Sequence, residues 1–265
     1  MTVALAHDVH GPDGAPVVVL GSSLGTTRSM WDEQLPALAE RFRVVRYDHR
    51  GHGGSPVPPG PYSLQDLAGD VLALMDRLGV ERAHLGGLSL GGMVAMHIAG
   101  TAPERVDRLA LLCTSSAMPP GPWLERAADV RRGGLASVAG AVAARWFTEP
   151  FSATSRAAQL RAVLAGVPDE GYASCCEAIA SMDLPPVLGS ITAPTLVLAG
   201  AEDPATPPDH GAAIVAAVVA GGGRARLEIV PGAAHLAAVE RPDVVTAAIL
   251  EHLADVAPGG EDGRG

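Results

Sequence analysis

Arg82-Ala-His-Leu-Gly-Gly-Leu-Ser-Leu-Gly-Gly-Met-Val-Ala-Met96 is the stretch on which the reading of this chain turns. Its centre, Gly87-Leu-Ser-Leu-Gly91, is a G-x-S-x-G pattern. Residues 83–86, short and partly apolar, suit a buried strand. Met93, Val94, Met96, His97 and Ile98 then follow a helical rhythm that meets no breaker before Gly100. A serine on such a strand–turn–helix corner is presented as a nucleophile. The turn is so tight that side chains flanking it would clash, so glycine stands at both ends of the pattern. The corner pushes the Ser89 hydroxyl out beyond the sheet edge. It also leaves the Leu90 N–H at a helix start, free to donate to a developing oxyanion. The same pattern occurs by chance in Gly-rich turns, so the rest of the chain has to decide.

The composition narrows the choice. The chain has 265 residues, 48% of them hydrophobic, with a net charge of −10. That suits one large α/β domain with an ample core and room for an inserted subdomain. The acidic balance argues against nucleic acid and against anionic membrane surfaces as partners. No apolar run is long enough for a membrane span. All 19 basic residues are arginine, which excludes a Walker A loop, a Schiff-base lysine and a Ser–Lys dyad together. Cys113, Cys175 and Cys176 form no disulfide framework, and adjacent cysteines rarely bridge. Residues 1–14 lack a basic patch followed by an apolar core. Buried free thiols and no signal peptide predict a cytoplasmic location.

Along the chain, residues 2–9 alternate and predict an edge strand, and Val17-Val-Val-Leu20 predicts a buried one. Gly21-Ser-Ser-Leu-Gly-Thr26 is a small-residue loop, residues 31–40 predict a helix and residues 42–47 a strand. Asp48-His-Arg-Gly-His-Gly-Gly-Ser55 is a second Gly-rich loop. It is expected to shape the ground beneath the rim, with Arg50 paired to a carboxylate. Ser63 caps a helix that Gly79 ends. Residues 108–112 predict another strand. From about residue 115 to residue 188 only helical patterns occur: 123–130, 135–147, 155–164 and 172–179. Strands return at 195–199 and 226–230, with helices at 211–220 and 239–254. The expected division is a sheet domain of residues 1–114 and 191–256, a helical cap of residues 115–190, and a disordered tail of residues 257–265.

Strands alternating with helices imply a mostly parallel sheet covered on both faces, with ligands bound beyond the carboxyl ends of the strands. Ser89, Asp203, His235 and the Gly21–Gly25 loop each follow a predicted strand, which puts them on one rim. A serine hydroxyl needs a base, and histidine is the side chain whose pKa suits that task. A carboxylate then fixes the tautomer of the base. His235 is the expected base and Asp203 the expected acid, with Glu202 the nearest rival to Asp203 and Glu240 a weaker one. The second oxyanion donor is expected from the loop after residues 17–20, with Leu24 N–H the choice and Ser23 the close alternative. His49 and His52 lie in a loop without metal-ligand spacing, so no metal is expected. The glycines around Ser89 do not fit G-x-G-x-x-G, so no dinucleotide cofactor is expected either.

Taken together, the chain resembles the α/β-hydrolase fold family over nearly its whole length, and Ser89, Asp203, His235 is that family's order. Within it, the chain most resembles the 3-oxoadipate enol-lactonases of bacterial aromatic catabolism. The residues that carry this are Gly21-Ser-Ser-Leu-Gly-Thr26 with Met30-Trp31, Tyr47-Asp-His-Arg-Gly-His-Gly53 and Gly87-Leu-Ser-Leu-Gly-Gly-Met93. In the helical block they are Arg145-Trp-Phe-Thr148 and Gly171-Tyr-Ala-Ser-Cys-Cys176 through Met182-Asp-Leu184. Near the end they are Ala199-Gly-Ala-Glu-Asp-Pro-Ala-Thr-Pro207 and Pro231-Gly-Ala-Ala-His235. Leu184-Pro-Pro186 departs from the pattern, in which a charged residue is expected after the leucine, and bears on the hinge between cap and sheet domain.

The resemblance implies hydrolysis of a five-membered enol-lactone bearing an acetate arm, without a cofactor. An anionic lactone as small-molecule partner calls for a cation in the pocket. Arg145 is the candidate, with Arg131 and Arg132 behind it. Ser23, Trp123 and Trp146 are the other expected substrate contacts. Two rivals stand beside this reading. One is a cofactor-free perhydrolase or haloperoxidase-like esterase using the same three residues, and the other is a non-catalytic binding module of the same fold.

Overall fold

Short Val- and Leu-rich runs, closed by glycine or proline, have too few residues for a stable helix and too much apolar surface to stay in water. In the computed structural model, which describes residues 1–254, they become strands of one sheet. With the polar edge strand β1 (His7–His10), these are β2 (Val17–Gly21), β3 (Arg43–Tyr47), β4 (Ala83–Leu88), β5 (Val106–Leu112), β6 (Thr195–Gly200) and β7 (Ala225–Val230). Their order is β1-β3-β2-β4-β5-β6-β7, with β1 antiparallel to β3 and the other pairs parallel. Every residue of β4 and β6 is buried. The register aligns the strand ends: Gly21 faces Gly87, Leu88 faces Leu112, and Gly200 faces Val230. The loops after β2, β4, β6 and β7 therefore leave the sheet along one rim.

Three helices precede β5: α1 (Leu35–Ala39), α2 (Leu64–Arg77) and α3 (Leu90–Thr101). Ser63 caps α2 as expected. Its hydroxyl accepts the Asp66 N–H while the Asp66 carboxylate accepts the Ser63 N–H, a reciprocal capping box. Gly79, at φ 67°, closes the same helix.

Between β5 and β6 the described chain is helical: α4 (Pro120–Gly133), α5 (Ala136–Ala143), α6 (Glu149–Ser152), α7 (Ser155–Ala165), α8 (Asp169–Ala180) and α9 (Pro185–Leu188). The expected helix 135–147 ends at Ala143, and α6 and α9 are two short helices not anticipated. Arg131 on α4 ties this block together through Glu170 at 3.0 Å and Glu177 at 2.5 Å, both on α8. Pro185 and Pro186 occupy the first turn of α9, where a missing N–H costs nothing. After β6 come α10 (Pro208–Ala220), α11 (Ala237–Glu240) and α12 (Pro242–Ala254).

Several expected boundaries move. The first strand starts at His7 instead of residue 2. The expected helix 31–40 is split into a 3₁₀ turn, Arg28–Trp31, and α1, whose first turn contains Pro36. The expected helix 239–254 is likewise split, because Pro242 lacks the N–H to continue α11 and opens α12 instead. The expected tail, residues 257–265, lies outside the described residues.

Candidate active site

The pattern around Ser89 is dictated by contact distances. A Cβ on Gly87 would lie 2.2 Å from the Gly91 carbonyl carbon, and one on Gly91 would lie 2.3 Å from the Gly21 oxygen. Only hydrogen fits at either position. Ser89 itself sits at φ 54° and ψ −113°, a conformation costing about 1–3 kcal/mol for a residue with a side chain. Its backbone is held by Ser89 N–H to Leu112 O at 2.9 Å and by the Thr114 hydroxyl to Ser89 O at 2.8 Å. No hydrogen bond reaches the Ser89 hydroxyl among the described residues.

His235 opens into the same pocket as Ser89. Its Nδ1 donates to Asp203 Oδ2 at 2.9 Å, which leaves Nε2 with its lone pair on the pocket side. Asp203 is fully buried and saturated. Its Oδ1 accepts the Ala205 and Thr206 N–H groups at 2.8 and 3.1 Å, and its Oδ2 accepts the Thr206 hydroxyl at 2.7 Å. Burial alone would raise its pKa, but His235 and the Thr206 donors outweigh that and hold it at about 2. The two rival acids are placed elsewhere. Glu202 is exposed, and Glu240 is bonded to Thr148 and Ala234, with no hydrogen bond to His235.

The loop after β2 separates Leu24 from Ser23. Ser23 N–H is spent on Met30 Sδ at 3.3 Å, and Gly25 N–H is spent on His52 Nε2 at 3.0 Å. The Leu24 N–H, like the Leu90 N–H, has no acceptor among the described residues. His52 accepts at Nε2 and so carries its proton on Nδ1, facing Arg50 O at 3.3 Å. His49 donates from Nε2 to Ser22 O at 2.9 Å. The two histidines thus brace the loop on both sides of Leu24. Burial pushes both rings down to about 4, so they stay neutral. Arg50 pairs with the buried Asp70 at 2.6 and 2.8 Å, the structural role expected of it.

The helical block supplies the opposite wall. Trp123, Arg145 and Trp146 line the pocket together with Ser23 and Leu24. Arg131 and Arg132 do not: the first is engaged by Glu170 and Glu177, the second by Asp129. Arg126 takes the place expected of them. It lines the pocket with its guanidinium 4.5 Å from the Trp123 ring centre, where ring and cation attract. Neither Arg126 nor Arg145 has a carboxylate within ion-pair distance among the described residues. Burial and the neighbouring Arg126 hold Arg145 below the usual guanidinium range. Tyr172, buried and lining the same pocket, has its hydroxyl beside Arg126 but in no well-formed hydrogen bond among the described residues. Burial keeps that phenol protonated, with Arg126 and Arg145 acting weakly against it. Arg126 and Tyr172 were missed from sequence. The spacing of three that puts Trp123 and Arg126 on one face of α4 was the available signal.

Comparison with known proteins agrees with this architecture. A family model for the alpha/beta hydrolase fold matches residues 16–154. A 3-oxoadipate enol-lactonase 2 of Acinetobacter baylyi is 37% identical over 93% of this chain and 92% of that protein. The solved enol-lactonase of Burkholderia xenovorans LB400 superposes with a TM-score of 0.91 at 40% identity, covering 96% of this chain and 97% of its own. A putative carbamate hydrolase RutD of Caulobacter sp. K31 is 32% identical over 94% of this chain and 95% of its own. Among the described residues no helix is long and apolar enough to cross a membrane. With the sheet order, the strained Ser89 corner and these relatives in agreement, the chain belongs to the alpha/beta hydrolase fold family and is a hydrolase.

Proposed function

We propose that this hydrolase opens a small carboxylate-bearing enol-lactone, 3-oxoadipate enol-lactone to 3-oxoadipate, in bacterial aromatic-compound catabolism. The observation that carries the reading is one pocket lined both by Ser89 and His235 and by two arginines, Arg126 and Arg145, that have no carboxylate within ion-pair distance among the described residues. A pocket built for a neutral ester has no use for two half-buried guanidinium groups side by side, whereas a carboxylate pairs with them by charged hydrogen bonds. The enol-lactonase names of two relatives support the same substrate.

In this reading His235 Nε2 takes the Ser89 proton as Ser89 Oγ bonds to the lactone carbonyl carbon. The Leu24 and Leu90 N–H groups hold the oxyanion. The tetrahedral adduct collapses, the ring C–O bond breaks, and His235 returns the proton to the departing enolate, which ketonises. Water, deprotonated by His235, then bonds to the acyl carbon, and His235 returns the proton to Ser89 Oγ as the Oγ–acyl bond breaks and the carboxylic acid leaves. Asp203 keeps the Nδ1–H tautomer and stabilises the imidazolium. Arg126, Arg145 and the Tyr172 hydroxyl orient the acetate arm, while Ser23, Trp123 and Trp146 fill the space around the ring. Residues 115–190 act as a cap over a rim supplied by residues 1–114 and the described part of residues 191–256. Three buried free thiols favour a reducing cytoplasm.

A second reading, carbamate hydrolysis, follows from the RutD relative. Purified protein assayed with the enol-lactone, a small carbamate, p-nitrophenyl acetate and peracetate formation separates the possibilities. The lactone is expected to give the highest kcat/KM. A higher value for carbamate, or peracetate formation as the main activity, overturns the lactonase assignment.

A further inference from the structure

Glu240 is a buried carboxylate outside the triad, and it joins two parts of the molecule. Its Oε2 accepts the N–H of Ala234, the residue before His235, at 2.9 Å. Its Oε1 accepts the Thr148 N–H at 3.0 Å and also the Thr148 hydroxyl. On the other side of His235, the Leu236 N–H donates to the Trp146 carbonyl at 2.8 Å. Both flanks of His235 are therefore bonded to residues 146–148, and Trp146 lines the pocket. No cation lies within ion-pair distance of Glu240 among the described residues. Its three protein donors belong to the two segments it joins, so the carboxylate links them directly.

We propose that Glu240 is a positioning residue for His235. It pins the His235 loop to the segment that forms the pocket wall, so that base and wall keep one geometry. The proposal rests on His235 serving as the base for Ser89. A glutamine at position 240 must turn its NH₂ toward either Thr148 or Ala234, both of which donate. One contact is then lost and the loop gains freedom. A misplacement of about 1 Å costs on the order of 10²-fold in rate.

The test compares wild type with Glu240→Gln, Thr148→Val, Thr148→Ser and His235→Ala. Three quantities are read: the rate of Ser89 labelling by a fluorophosphonate, kcat and KM for p-nitrophenyl acetate, and the melting temperature. Glu240→Gln is expected to slow labelling and kcat by about tenfold or more, with KM changed less than about twofold. Thr148→Val is expected to slow both by about threefold, and Thr148→Ser to restore them. A Glu240→Gln protein that melts lower but keeps wild-type labelling and kcat overturns the proposal, as does a rise in KM with kcat unchanged. If Glu240→Gln does not accumulate folded, Thr148→Val decides, and unaltered labelling in it overturns the proposal. Wild-type labelling in His235→Ala is a different failure: it removes the base assignment on which the proposal stands.

Discussion

Ser89, His235 and Leu24 stand on loops at the ends of sheet strands, whereas Trp123, Arg126 and Arg145 stand in the helical block, and the two walls are held by different forces. On the rim the backbone leaves no slack. Gly87 and Gly91 each lack room for a methyl group, and the Leu24 loop is clamped by two buried neutral histidines. Apart from Gly171 on α8, where a Cβ would meet the Gly51 oxygen at 2.2 Å, the helical block relies on side chains, with the Arg131 pairs on its surface and glycines that meet nothing within 4 Å at positions 121 and 140. A rim of this kind preserves one chemistry. A wall of side chains can be exchanged with little strain, which suits the substrate recognition proposed for it.

The largest effect tests the rim. Ser89→Ala is expected to lower kcat by about 10⁴-fold or more, with circular dichroism and melting temperature unchanged. Activity within tenfold of wild type would mean that water is activated directly and that the strained corner is not a nucleophile. Next comes Gly91→Ala, whose methyl would meet the Gly21 carbonyl at 2.3 Å. A backbone oxygen cannot step aside as a flexible side chain can, so a loss of about 3 kcal/mol is expected from denaturant titration. A loss below about 1 kcal/mol would show slack that a rigid rim does not have.

The same contrast explains what could be read from the amino-acid order. The sheet was readable because its parallel strands carry apolar runs that end at glycine, proline or a small-residue loop, and Asp203 and His235 were readable because both follow such strands. Arg126 was not, since which face of α4 turns inward depends on its packing against α8, far along the chain. Glu240 looks like a rival acid in the sequence because its partner Thr148 lies 92 residues away. The breaks at Pro36 and Pro242 were visible in the prolines themselves but were overridden by apolar periodicity that continues through them.

Acid should undo the two regions in a fixed order. Burial holds His49 and His52 at about 4 in the folded protein, against 6.5 for a free ring. Between those values the unfolded chain binds protons that the folded rim refuses. Their contribution is complete above about pH 6.5 and falls by about 1.4 kcal/mol per pH unit per histidine down to about pH 4. In the helical block the sign is the same but the window lies lower. Hydrogen bonds from Arg131 hold Glu170 at about 2, so its stabilisation is complete above 4.5 and is lost only as pH drops below that. Hydrogen exchange at pH 5 is therefore expected to speed up first around residues 22–25 and 49–52. Earlier opening of α8 would reverse the comparison.

Arg126→Gln moves the test to the substrate-facing wall. A charged hydrogen bond to a carboxylate is worth about 1.5–3 kcal/mol, so KM for an anionic lactone should rise by about tenfold or more. KM for a neutral ester should change by less than about twofold. Equal changes for both would remove Arg126 from carboxylate recognition and leave it as a cover for Trp123.

The smallest effect belongs to Gly140, in the middle of α5, exposed, with nothing within 4 Å of the place an alanine methyl would take. Alanine there removes backbone freedom from the unfolded chain and meets no obstacle in the folded one. A gain of about 0.5–1 kcal/mol is expected, opposite in sign to Gly91→Ala. The pair uses one chemical change at two glycines, so the difference between them measures the surroundings and not the methyl group. If both lose stability by similar amounts, the helical block is as tightly built as the rim, and substrate choice cannot be assigned to a region that tolerates exchange.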